Sequence, residues 1–80
     1  MTTLTVIREP LATEVEVTDS ALRLVLADGR EISAPLAWFP RLLNATLAER
    51  KEWRMIGGGI GVHWPLVDED ISVESLLNAR

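Results

Sequence analysis

The stretch that decides the fold is GGGIGVHWPLVDEDISVESLL, residues 57–77. It contains four of the five glycines, the only histidine and one of the three tryptophans. A strand is predicted over residues 60–64, paired across the glycines with residues 54–56. Ser72 is a typical N-cap, and it predicts a helix over residues 73–77. The rest of the chain is expected to form the elements against which this stretch packs.

The first part of the chain has the alternation of a small antiparallel sheet. Residues 13–18 alternate between apolar and polar side chains, and residues 22–26 carry leucine at every second position. The pair Asp28-Gly29 follows, which is typical of a type I′ turn with positive φ at both central residues. Residues 30–34 return as a third strand. We therefore predict a three-stranded antiparallel meander with one apolar face.

Short helices are predicted between the meander and the glycines. Proline suits the first turn of a helix, so Pro40 predicts a helix over residues 40–43 behind one helical turn. The pattern TLAE at residues 46–49 fits a capping box, which predicts a second helix over residues 47–53.

These elements define an α+β fold: an antiparallel three-stranded meander, two short helices, a β-hairpin and a short C-terminal helix. Eighty residues are expected to form a single small domain, 1–80. Its core is small, so a low free energy of unfolding is expected. A further edge strand is predicted over residues 4–7. That edge, or the edge of residues 60–64, would suit pairing with a second copy, so we expect a homodimer.

Composition narrows the function classes. Twelve acidic and eight basic residues give a net charge of −4, which disfavours binding to nucleic acid without a partner that supplies positive charge. The chain has no cysteine and one histidine, so neither a disulfide framework nor a protein metal site is expected, and no cofactor is implied. Neither a signal peptide nor a membrane-spanning stretch is predicted, and the expected location is the cytoplasm.

Several motifs in one register resemble a known family. The first half carries DGR at residues 28–30, PLxWFPRL at residues 35–42 and ATxxER at residues 45–50. The second half carries Trp53, IGxGxGxHWP at residues 56–65, DEDISV at residues 68–73 and LL at residues 76–77. This pattern resembles the small bacterial family catalogued as domain of unknown function 2442.

What the resemblance implies is modest. The resemblance implies a compact α+β domain, which in this family is found alone or joined to a helix-turn-helix segment. No activity is established for the family. Its genes often lie beside another small uncharacterised family, an arrangement that resembles toxin–antitoxin pairs. The resemblance therefore implies a protein partner encoded nearby.

The leading functional prediction is a non-enzymatic protein-interaction module, the accessory or antitoxin-like member of a two-gene pair. Negative charge before a helix N-terminus complements the helix dipole, and it can also form a face for a basic partner. Aromatic side chains are common anchors of interfaces. The predicted partner-binding residues are the acids Asp68, Glu69, Asp70 and Glu74 and the aromatic residues Trp38 and Phe39.

The alternative is a nucleic-acid-binding or regulatory protein that acts with a partner. Half of the basic residues lie within fourteen positions, although Glu49 and Glu52 interrupt them, as on a solvated helix face. The residues of this basic patch are Arg41, Arg50, Lys51 and Arg54.

A hydrolase built around His63 is the third and least favoured alternative. A histidine could act as a general base, oriented by Asp68 or Asp70. The available nucleophiles, Ser72 and Ser75, are predicted to cap a helix instead. The favoured interpretation gives His63 a structural role, in which a hydrogen bond to the backbone fixes the end of its strand, and no catalytic residue is assigned.

Overall fold

The first sheet has three antiparallel strands in the order β1-β2-β3. The computed structural model describes residues 10–78, so the strand predicted over residues 4–7 lies outside the described residues. The strands are β1 (Ala12–Val17), β2 (Ala21–Leu26) and β3 (Glu31–Pro35). Alternate side chains of a strand share a face, and the three leucines of β2 are accordingly buried. The predicted meander is confirmed.

The turn between β2 and β3 differs from the predicted type I′ turn. Gly29 has φ of 94°, but Asp68 is the one non-glycine residue with positive φ within residues 10–78, so Asp28 lacks the required conformation. The backbone N–H of Gly29 donates to Leu26 O at 3.0 Å, and that of Leu26 donates to Arg30 O at 2.8 Å. The Asp28 carboxylate accepts from the Arg30 N–H at 3.0 Å, which stabilises this longer loop.

Three short helical segments follow the meander: a 3₁₀ turn (Leu36–Trp38), α1 (Pro40–Leu43) and α2 (Leu47–Lys51). The capping box is confirmed, because the Thr46 hydroxyl accepts from the Glu49 N–H at 3.1 Å while the Glu49 carboxylate accepts from the Thr46 N–H at 2.8 Å. The helix predicted to reach residue 53 ends at Lys51. Its extent was wrong because Glu52 turns to ψ of 84°, which leads directly into the next strand.

The second sheet contains β4 (Arg54–Ile56), β5 (Gly61–Trp64) and β6 (Glu69–Ser72), in that order, and α3 (Val73–Leu77) follows. The predicted hairpin is present, but strand β6 was not predicted, because its residues resemble an acidic run before a helix. Because β5 is the central strand, it offers no edge for pairing, and that route to a homodimer was wrong. Self-association itself stays a prediction.

The glycine turn between β4 and β5 connects the two sheets. The Ala12 N–H donates to Gly59 O at 2.8 Å. A Cβ built on Gly59 would lie 2.5 Å from Ala12 O, and its φ of 118° is unfavourable for other residues. Ile60 remains in this turn with 46% of its surface exposed, so the strand predicted from residue 60 begins one residue later, at Gly61.

One hydrophobic cluster contains residues of both sheets. Trp64 lies in it with 0% exposure, and its indole Nε1–H donates to Arg50 O at 3.1 Å. The predicted cap is confirmed as well, since the Ser72 hydroxyl accepts from the Ser75 N–H at 3.1 Å. No helix within residues 10–78 is long and apolar enough to cross a membrane.

Candidate interaction surface

A groove of about 270 Å³ lies between the 3₁₀ turn and the strand–helix unit β6–α3. We call it the acidic groove because two acidic residues, and no basic residue among residues 10–78, line it. Its lining residues are Trp38 and Phe39, then Glu69, Asp70 and Ile71 of β6, and Ser75 and Leu76 of α3. The acids and the aromatic residues were predicted from separate parts of the sequence, and the fold brings four of them together.

The 3₁₀ turn determines which aromatic residue is exposed. Leu36, its first residue, is buried with 1% exposure, and its N–H donates to Ser20 O at 2.9 Å, which fixes the turn to the first sheet. Trp38 lies two positions later and keeps 49% of its surface exposed. Phe39 is half-buried against the core. The groove therefore has one accessible aromatic side chain held on an anchored turn.

Asp70 lies directly opposite His63 across β5 and β6. The Val73 N–H donates to Ile60 O at 2.9 Å. Since antiparallel pairs alternate along a ladder, His63 and Asp70 form a non-hydrogen-bonded pair, the kind whose side chains lie closest. His63 Nδ1 is hydrogen-bonded to Asp70 Oδ1. The histidine thus binds a carboxylate, whereas a backbone partner was predicted.

The outer edge of β6 in the sheet order β4-β5-β6 carries a side-chain cap. The same alternation points the Asp70 N–H away from β5, and the Glu69 carboxylate accepts it at 3.1 Å. Glu69 therefore covers one donor of the edge with negative charge, which is one way in which strand edges are protected from pairing.

The other two predicted acids lie outside the acidic groove. Asp68 has φ of 52° in the loop before β6, and its backbone oxygen accepts a hydrogen bond from Arg41 Nη1. Its own side chain is 90% exposed, with a carboxylate oxygen 4.0 Å from the same guanidinium. Glu74 lies on α3 beside a separate shallow concavity. Of the four acids predicted to form a face for a partner, Glu69 and Asp70 line the groove, and Asp68 and Glu74 lie outside it.

Two of the four side chains in the basic patch, those of Arg41 and Arg50, are hydrogen-bonded to backbone carbonyls of the protein itself. Arg50 donates from Nε to Leu42 O at 3.0 Å and from Nη2 to Leu43 O at 2.9 Å, which satisfies carbonyls at the end of α1. Arg41 bonds the loop before β6. Lys51 and Arg54 are exposed.

The residues considered for a hydrolase form two separate hydrogen-bonded pairs. His63 contacts Asp70, as the catalytic alternative required, but it does not line the acidic groove. The hydroxyls of Ser72 and Ser75 are hydrogen-bonded to each other at the start of α3. Within residues 10–78, no group of three or more His, Cys, Asp or Glu side chains is arranged to hold a metal ion.

Two pKa shifts belong to the first sheet. Hydrogen bonds from the Arg23 guanidinium to Glu31 and then Glu16 raise the pKa of Arg23, and both carboxylates lie within 2.9 Å of it. The Arg30 N–H, donating to the Asp28 carboxylate, lowers the pKa of Asp28 from its ordinary value of 3.8. These charges therefore stabilise the meander and its turn, away from the acidic groove.

Ile71, Ser75 and Leu76 line the acidic groove but were missed as site residues. Ile71 and Leu76 lie on either side of the Ser72 cap in the sequence, and neither was predicted to line a site. The signal that could have found them is the alternation in EDIS, residues 69–72, which marks a strand.

The fold and the groove define a small α+β domain with two antiparallel sheets and an acid-lined surface. Residues 12–80 match the family model described as "Protein of unknown function (DUF2442)", and the chain belongs to that family.

A solved structure supports the same fold. The crystal structure of a protein of unknown function from Rhodospirillum rubrum is similar, with a TM-score of 0.74 and 23% sequence identity. The similarity covers 89% of this chain and 88% of that one. A comparison with curated proteins gave no match.

Proposed function

We propose that this protein is a non-enzymatic interaction module that recognises a basic protein partner through the acidic groove. The observation that supports this most is the meeting of Trp38 with Glu69 and Asp70 in one concave surface. Exposed aromatic side chains that are already held in place are efficient interface anchors, because little conformational entropy is lost when they bind. The adjacent carboxylates favour a partner of opposite charge.

The charge of the whole chain supports the same class of partner. A net charge of −4 attracts a basic protein over long range and disfavours acidic ones. Asp68 and Glu74 lie outside the groove, and we assign them to this attraction rather than to direct contact. We further propose that the partner is encoded nearby, with this chain as the accessory or antitoxin-like member of the pair, in line with the family resemblance.

The geometry favours this proposal over nucleic-acid binding. Arg50 donates from two of its guanidinium nitrogens, Nε and Nη2, to backbone carbonyls of α1, and Arg41 donates to the loop before β6. A phosphate would have to compete with those bonds. Lys51 and Arg54 alone provide little charge for counterion release.

Co-purification of the tagged chain from its native host tests the proposal. We expect a small basic protein to be retained at low salt and released as salt is raised, since the attraction is electrostatic. Recovery of the chain alone, or of an acidic protein that salt does not release, would contradict the proposal. Co-purified nucleic acid that is lost in a Lys51→Gln/Arg54→Gln variant would support the alternative function.

A further inference from the structure

We infer that the acidic groove receives one arginine side chain of the partner, with the guanidinium stacked on Trp38 and hydrogen-bonded to Glu69 and Asp70. This inference rests on the proposed function and specifies how the partner is recognised. An aromatic face beside carboxylates suits a guanidinium, which is planar, permanently charged and able to stack and donate hydrogen bonds at once. The apolar side chains of Ile71 and Leu76 suit the methylene stem of the same residue.

The two carboxylates retain the capacity to accept these bonds. Asp70 uses Oδ1 toward His63, and Glu69 uses Oε1 toward the Asp70 N–H. An ionised carboxylate has two oxygens with about four lone-pair positions, so each acid can accept further donors. The existing bonds also hold both carboxylates in position, which lowers the entropy lost on binding.

The edge of β6 favours recognition of a side chain over addition of a strand. An added strand would need the Asp70 N–H as a donor, but Glu69 already accepts it at 3.1 Å. An added strand would have to displace the Glu69 carboxylate, which would then lose its hydrogen-bond donor. An arginine that approaches from the groove needs no such exchange.

Capped tripeptides Gly-Arg-Gly, Gly-Lys-Gly and Gly-citrulline-Gly test this inference on the full chain. Citrulline has nearly the shape of arginine but no charge, so it isolates the ionic contribution. The indole N–H signals of Trp38, Trp53 and Trp64 can be followed by NMR during each titration. We expect the Trp38 signal to shift as the arginine peptide is added. The dissociation constant should be roughly tenfold higher for the citrulline peptide, and that of the lysine peptide should lie between the two.

Matched variants identify the carboxylates that are used. Glu69→Gln and Asp70→Asn should each weaken the arginine peptide several-fold, whereas Glu74→Gln, which removes an acid outside the groove, should not. Equal response to citrulline and arginine, or no movement of the Trp38 signal at millimolar peptide, would overturn the inference. If the native partner still binds and depends on Glu69 in that case, the proposed function stands while the arginine inference fails.

Discussion

His63 Nδ1 hydrogen-bonds Asp70 Oδ1 across β5 and β6, and this contact connects the second sheet to the acidic groove. It holds the carboxylate of Asp70, a residue that lines the groove. Asp70 therefore contributes both to the sheet and to the proposed binding surface.

A double-mutant cycle measures this pair. His63→Ala and Asp70→Ala should show a coupling free energy of about 0.5–1 kcal/mol in urea denaturation, the range for a cross-strand polar pair. A His63→Ala/Glu74→Ala cycle is the control and should be additive. Additivity in both cycles would contradict the contact.

The same His63→Ala variant separates the module from the hydrolase alternative. We expect it to retain partner binding within about fivefold, since at most about 1 kcal/mol of preorganisation is lost. A hydrolytic activity in the wild-type protein that disappears in His63→Ala would contradict the non-enzymatic proposal.

Gly59→Ala should destabilise the protein by more than about 2 kcal/mol, because positive φ and a backbone clash add together. The new Cβ would lie 2.5 Å from Ala12 O, where the two sheets are joined. Gly58→Ala is the matched control: its φ is 72°, but nothing lies within 4 Å, so a loss near 1 kcal/mol is expected. Equal losses in urea denaturation would show that the contact with Ala12 does not matter.

Trp64→Phe should cost about 1–3 kcal/mol, because Arg50 O loses its indole donor and the smaller ring leaves a void in the core. Trp38→Phe changes an exposed ring and should alter stability by less than about 0.5 kcal/mol. The same thermal denaturation measures both. A Trp38 variant as damaging as the Trp64 variant would mean that Trp38 serves the core rather than binding.

The lowered pKa of Asp28 predicts a pH dependence of stability. A carboxyl group whose pKa is lower in the folded state stabilises that state above its ordinary pKa of 3.8, and the contribution is lost as pH falls through the folded pKa. Asp28→Asn has no charge to titrate, so its Tm should fall less than that of the wild type between about pH 6 and pH 2. Parallel curves would contradict a role for the Asp28 charge.

Local pattern was sufficient for the elements whose contacts are close in sequence. Alternation predicted the three strands of the meander, and the TLAE pattern predicted the Thr46 capping box, because each depends on neighbours along the chain. The Asp28-Gly29 turn was assigned the wrong type because the preference for type I′ does not include the hydrogen bond from Arg30 to the Asp28 side chain.

The acidic groove is formed by residues that are far apart in the sequence, so no local pattern could predict it. Strand β6 pairs with β5 across the loop that includes Asp68, whereas three acidic residues in that region favoured a charged run before a helix. Trp38 meets Glu69 only through tertiary packing. The candidate acids were therefore recognised individually, while their division between the groove and its surroundings required the fold.

Charge reversal at Glu69, compared with Glu74, tests the central proposal most directly. The partner's dissociation constant should be measured near 0.15 M ionic strength, where attraction beyond about 8 Å is screened and direct contacts dominate. Both acids are on the surface, and unchanged Tm values would show that folding is retained. We predict that Glu69→Lys weakens binding at least about tenfold, while Glu74→Lys changes it less than about threefold. Equal effects of the two variants, or no effect of Glu69→Lys, would contradict recognition through the acidic groove.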